Sequence, residues 1–423
     1  MSSRRSPLLI IFFTVFIDLL GFGIVLPLLP RYGLHFEADN WTLGFLMASF
    51  SAMQFLFAPL WGRWSDRVGR RPVLLIGLFG STFFYFLFAL ITQRGNLGPI
   101  FGLSPVVWLF VTRIGAGIAG ATIPTAQAYI ADVTDAKSRG KGMALIGAAF
   151  GIGFTFGPLI GAAFVGSADS DIPSAAPGYV AAVLSGIAFV WALLMLPESL
   201  KPGATTVRRS WLDLGSLRTA VGLPYVGWVL ASIFLTTFAF AQFETTLSLL
   251  TKNRGMSDRG NFLVFAYIGF ILTLAQGMLV RRLLPKLGEY RMSLIGVALM
   301  AIGLLGIGLA TLPQDKQLSL GLLFVVLPVC VVGYSATTPS LQSLLSLNSH
   351  SDEQGGILGV GQSMSSLARI LGPIIGLGLQ KVAIATPYWF GAGLMAAAVL
   401  LILMLRGARQ GGSLHGATAE AAA

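Results

Sequence analysis

The sequence predicts an all-α membrane protein in which twelve transmembrane helices form two pseudo-symmetric six-helix bundles. Three observations predict this. Charged residues are 11% of the chain and hydrophobic residues 55%, so the charge is less than half that of an ordinary soluble domain. Apolar runs of ~20 residues, the length of a bilayer-spanning helix, recur along the whole chain. The two halves also repeat: residues 121–161 laid over 336–376 without a gap bring ATIPTAQ onto ATTPSLQ, Gly140 onto Gly355 and GPLIG onto GPIIG.

The runs lie at about 7–30, 41–61, 73–93, 106–131, 142–166 and 178–197, and then at 222–250, 260–280, 292–311, 319–345, 356–380 and 386–405. They are too long for barrel strands and lack polar–apolar alternation, which leaves helices as the spanning structure. The first run is followed by no small-residue cleavage site, so it reads as a retained helix. The polar stretch 198–221, PESLKPGATTVRRSWLDLGSLRTA, reads as a cytoplasmic linker between bundles at 1–197 and 222–406. Residues 407–423, rich in Gly and Ala, read as a disordered tail. Nineteen of the 28 basic residues fall in loops on the side of the N-terminus and seven on the other side, which predicts cytoplasmic termini in a bacterial inner membrane.

The net charge of +11 does not point to nucleic acid, because the basic residues are spread over short loops between apolar runs. Cys330 is the one cysteine, and His35, His350 and His415 are far apart, so neither a disulfide framework nor a metal site is expected. No G-x-S-x-G, H-E-x-x-H or phosphate-binding glycine loop is present to suggest an enzyme. Repeated six-helix halves are instead a transporter plan, with the substrate near mid-membrane between them.

The charges inside the runs are Asp18, Arg113, Glu244 and Arg369. Each costs about 2.5–3.5 kcal/mol at a helix centre, so each is a functional candidate. Paired, they would fix helix packing. An acid that alternately meets each side of the membrane could instead carry a proton, because a low-dielectric cavity favours the neutral carboxyl. Glu244, on a helix that also presents Phe238, Phe240 and Gln242, is the first choice, and Asp18 the second. Gln127 and Gln342 are repeat-related, each three residues after a proline, and suit either a central cavity or interhelical hydrogen bonding. Arg369 fits a cavity anion contact or packing, and Asp132 an interfacial cap. Between the second and third runs, GRWSDRVGRR places Asp66 among arginines, either as a solvated ion pair or as a group seeking a helix N-terminus.

That loop, with Gly62, Asp66, Arg67, Gly69, Arg70, Arg71 and Pro72, resembles the loop signature of the major facilitator superfamily. FIDLLGFGIVLPLLP, LFVTRIGAGIAGA and GIGFTFGPLIG are similar to stretches of its drug/proton antiporter branch, the branch of the tetracycline-resistance exporters. The resemblance covers nearly the whole chain. It implies the major facilitator fold, a monomer in a lipid bilayer, no cofactor, and a proton gradient as the energy source for export of drug-like or tetracycline-like molecules. It implies that Asp66 is a conformational latch toward the start of the eleventh helix, near Gly355 and Gly356. Arg113 matches an arginine implicated in proton coupling. Gly153, Gly157, Pro158 and Gly161, with Gly372 and Pro373 in the second half, are expected to loosen helices five and eleven while permitting close packing. The chain departs from the tetracycline exporters in having no acid in the third run and no acidic, basic or histidine side chain in the runs expected to carry titratable groups, the eighth or ninth. The alternative reading is an exchanger or symporter in which Arg113 and Arg369 clamp an anionic metabolite.

Overall fold

A backbone in lipid must satisfy its own hydrogen bonds, and helices do so within one segment. The computed structural model describes residues 7–134, 139–166, 172–200, 224–347 and 354–420. The first six predicted spans are α1 (Pro7–Val25) with α2 (Leu29–His35), α3 (Asn40–Val68), α4 (Arg70–Gly95), α5 (Pro105–Ala119) with α6 (Ile123–Val133), α7 (Arg139–Phe164) and α8 (Ala176–Met195). The second six begin with α9 (Pro224–Asn253) and α10 (Asp258–Leu274), which continues through a π-helical turn, Ala275–Val280. They end with α11 (Arg281–Ala310), α12 (Lys316–Leu347), α13 (Gln354–Val382) and α14 (Thr386–Glu420). Among the described residues, nine segments are long and apolar enough to cross a membrane. One of them, Asp258–Ala310, is two spans, because Gly288 turns the chain at φ 74°, ψ 163°. α7, with its apolar stretch Ala149–Phe164, and α13 complete the twelve. Most of the predicted linker, 201–221, lies outside the described residues, and α14 continues as helix through residues expected to form a tail.

Spans one and four are each broken, and proline explains both breaks. Pro30 occupies the first turn of α2 and Pro124 that of α6, where a missing N–H is tolerated but a continuous helix is not. The freed carbonyls find side-chain partners. Pro27 O accepts from Ser248 Oγ at 2.8 Å and Asn261 Nδ2 at 2.9 Å, Ile118 O from Trp61 Nε1 at 2.7 Å, and Gly120 O from Gln54 Nε2 at 3.2 Å.

By packing, the chain divides into two compact units: Met1–Trp211 with Leu247–Thr273, and Leu212–Thr246 with Leu274–Ala423. The end of α9 and nearly all of α10 thus belong with the first six spans. In the first unit, α1 packs on α7 and α8, and α4 on α5 and α8. Its core gathers Ile11, Val15, Leu19, Leu78, Tyr129 and Ala188. Small residues let backbones touch, the usual basis of helix association in lipid. A Cβ on Gly157 would lie 2.9 Å from Leu20 O, and one on Gly23 2.9 Å from Gly153 O. In the second unit α11 and α12 cross in the same way: a Cβ on Gly333 would lie 2.6 Å from Gly296 O, and one on Gly303 2.4 Å from Cys330 N.

Candidate functional site

The first unit holds a buried polar cluster built from three helices. α1 supplies Asp18, whose Oδ1 has no hydrogen-bond partner among the described residues, with Ser81 of α4 beside the carboxylate. α5 supplies Arg113, which is 2% exposed. Its guanidinium lies 4.3 Å from the centroid of the Phe50 ring and 5.9 Å from that of Phe22, and these two rings are stacked at 5.0 Å. Arg113 Nε and Nη1 have no partner among the described residues. The aromatic faces contribute attraction without accepting either hydrogen bond, so two donors remain available. Tyr85 of α4 lies within electrostatic reach of both Asp18 and Arg113, and with Phe84, Phe88, Thr112, Val25 and Ala116 it borders a small space beside the guanidinium. Sequence reasoning missed Tyr85. A lone tyrosine in the apolar run GSTFFYFLFAL gives no signal until α1 and α4 are placed together.

The second unit holds the other two charges of the spanning helices. Glu244 of α9 is half-buried, and the charge that acts on it is Arg369 of α13, which is exposed. The carboxylate and the guanidinium, on two spanning helices of one unit, are thus within electrostatic reach of each other. Around them the predicted residues divide. Phe238 is buried against Phe234 and Phe390, and Phe240 is stacked on Tyr334 at 3.7 Å. Gln242 is fully buried and donates to Pro387 O at 2.7 Å, which ties α9 to α14. Gln127 and Gln342 are both exposed. Gly372 packs on α9, where its Cβ would lie 3.0 Å from Phe238 O, and α13 runs on through Pro373. In the first unit α7 likewise runs through Pro158, and a Cβ on Gly161 would lie 2.3 Å from the Phe262 ring.

The loop between α3 and α4 is a charge network. Gly69 caps α3 at φ 108°, ψ 155°, a conformation essentially restricted to glycine. The turn brings Arg70 back over the end of α3, where it pairs with Asp66 and donates to Ser65 Oγ at 2.7 Å and Asp132 Oδ2 at 3.2 Å. Glu198, just after α8, accepts from the backbone N–H groups of Arg70 at 2.8 Å and Arg71 at 3.1 Å. It therefore caps the positive N-terminus of α4. Arg71 also donates to Leu193 O at 2.8 Å, while Arg67 is exposed and Gly62 faces Pro124. Glu198 and the central place of Asp132 were not legible, since the loop pattern does not reach residues 62 and 128 positions away. The pairing of Asp66 with the segment near Gly355 and Gly356 falls on side chains outside the described residues.

Twelve spanning helices, broken at two of them, with charges set inside the membrane-crossing segments, define a secondary membrane transporter. Residues 11–373 match the Major Facilitator Superfamily, and the chain belongs to that family. It is 31% identical to a class C tetracycline resistance protein of Escherichia coli, over 96% of this chain and 97% of that one. It is 28% identical to multidrug resistance protein 2 of Bacillus subtilis, over 93% and 94% of the two chains. Among solved structures it resembles a human organic anion transporter at TM-score 0.65 and 25% identity, covering 95% of this chain and all of the other. A D-xylose-proton symporter shares the fold at TM-score 0.70 and 20% identity, over 93% and 96% of the chains. The chain is thus a major facilitator transporter related to tetracycline and multidrug efflux proteins.

Proposed function

We propose that this protein exports small organic molecules, drug-like or tetracycline-like, in exchange for protons, by alternating access in a bacterial inner membrane with both termini cytoplasmic. The observation that carries this reading is a half-buried carboxylate, Glu244, on a spanning helix within electrostatic reach of Arg369. A carboxylate there can be stabilised in charged form by the guanidinium and in neutral form by the apolar surroundings. Small changes in that geometry therefore move a proton on or off. Asp18, with one oxygen unpartnered, is the second proton group, and Tyr85 and Arg113 are the groups that would sense its charge. The tetracycline and multidrug resistance relatives supply the substrate class. The bundles at 1–197 and 222–406 are the moving bodies in this reading, no cofactor takes part, and the working unit is a monomer.

The test is reconstitution of the parent and Glu244→Gln in liposomes holding a pH-sensitive dye, with a panel of cationic, neutral and anionic compounds. Substrate-triggered proton movement in the parent, reduced at least about tenfold in the variant, is the expected result. Equal movement in both proteins would remove Glu244 as the carrier. A second reading, exchange or symport of an anionic metabolite, is favoured by the two unpartnered donors of Arg113 and by the organic anion relative. It predicts anion transport without proton release, abolished by Arg113→Gln.

A further inference from the structure

Arg31 lies in α2, at the end of span one remote from the Gly69 loop, and is 3% exposed. Its side chain donates from Nη1 to Asp258 Oδ1 at 2.8 Å and Met256 O at 2.9 Å, from Nη2 to Thr251 Oγ1 at 2.9 Å, and from Nε to Ser248 O at 3.3 Å. All four acceptors lie on the hairpin that joins α9 to α10. The next residue is anchored the other way: Tyr32 donates to Ser174 O at 2.6 Å and stacks on Phe88 of α4. α2 is thus fixed to the first six spans by Tyr32 and reaches across to the α9–α10 hairpin through Arg31. The proline break beside it does the same, since the free Pro27 carbonyl is taken by Ser248 and Asn261 of the hairpin.

A residue serving only the packing of its own helices would share its donors among local acceptors. Here every one of these bonds crosses to a segment more than 200 positions away. Charge-assisted bonds from a rigid planar fork are strong together and release together. Asp258 is 34% exposed, so water can take over the ion pair at its rim. We propose that Arg31 is a gating residue for the face of the protein opposite the Gly69 loop: its capture by the α9–α10 hairpin holds that face shut, and its release exposes the hairpin's buried residues to solvent. The proposal rests on alternating access but not on protons as the coupling ion.

Ser248→Cys in a Cys330→Ser background places a thiol at a position that is 1% exposed in the closed arrangement. The full-length protein in detergent is then treated with a charged maleimide, in the parent, Arg31→Gln and Asp258→Asn forms. Labelling is expected to be slow in the parent, at least about tenfold faster in Arg31→Gln, and intermediate in Asp258→Asn, which loses one acceptor charge of the four contacts. Equal rates in all three forms would overturn the proposal. If Arg31→Gln does not fold, Asp258→Asn decides alone, through a rate above or equal to that of the parent. Loss of proton coupling in the liposome test would leave these rates unchanged, so the two readings fail separately.

Discussion

The turns at Gly69 and Gly288 share a backbone and differ in what they hold. Both join consecutive helices, and both place glycine at positive φ with ψ near extended, 108° and 155° against 74° and 163°. At Gly69 the space is full: an added Cβ would lie 2.3 Å from Glu198 Oε2, and Arg70 sits between Asp66 and Asp132. At Gly288 an added Cβ would meet nothing within 4 Å, and the acid beside it, Glu289, accepts only a 3.2 Å bond from Ser343 among the described residues. The repeat has kept the turn and changed its chemistry. One loop carries a network of three carboxylates around one arginine and a helix end, while the other, among the described residues, has the one bond of Glu289.

Substitution can sharpen that contrast. Gly69→Ala meets both the strained φ and the Glu198 cap, and it should destabilise the protein by about 2–4 kcal/mol. Gly288→Ala meets only the φ and should cost about 1–2 kcal/mol. Unfolding of the two variants side by side in detergent checks the order, and equal losses would mean that the Glu198 cap contributes nothing. Next, Glu198→Gln keeps one acceptor where the carboxylate uses two, one oxygen for the Arg70 N–H and one for that of Arg71, and it loses the charge at the α4 terminus, for a loss of about 1 kcal/mol in the same assay. The smallest stability effect is expected from Asp66→Asn, because that carboxylate is 41% exposed and surface ion pairs contribute about 0–1 kcal/mol. Its transport rate is the informative measurement. A fall far beyond the small stability change would make Asp66 a latch, and an unchanged rate would leave it a loop ion pair.

The spans were legible because hydropathy is written continuously along the chain, and the Gly69 turn because an acid among four arginines stands out where charged residues are 11% of the sequence. The four intramembrane charges were legible for the same reason. What could not be read were partners. Glu198 reaches Arg70 across 128 positions, Tyr85 comes near Asp18 and Arg113 only once α1, α4 and α5 are packed, and Arg31 finds its acceptors 217 to 227 positions away. Phe238 and Gln242, which share a helix with Glu244, are buried in the packing of their unit, because residues two positions apart on a helix face different directions.

The separation of Arg31 from its partners, 217 to 227 positions, also bears on how the chain is made. Helices enter the bilayer in order and then associate. The α11–α12 crossing at Gly296, Gly303 and Gly333 joins neighbours in sequence and can form as soon as both are inserted. Arg31 is synthesised with span one and has no acceptor for its guanidinium until the α9–α10 hairpin emerges, more than half the chain later. Burial of Arg31 with its four hydrogen bonds therefore has to wait for the chain through Asp258, whereas the α11–α12 crossing needs only its two neighbouring helices.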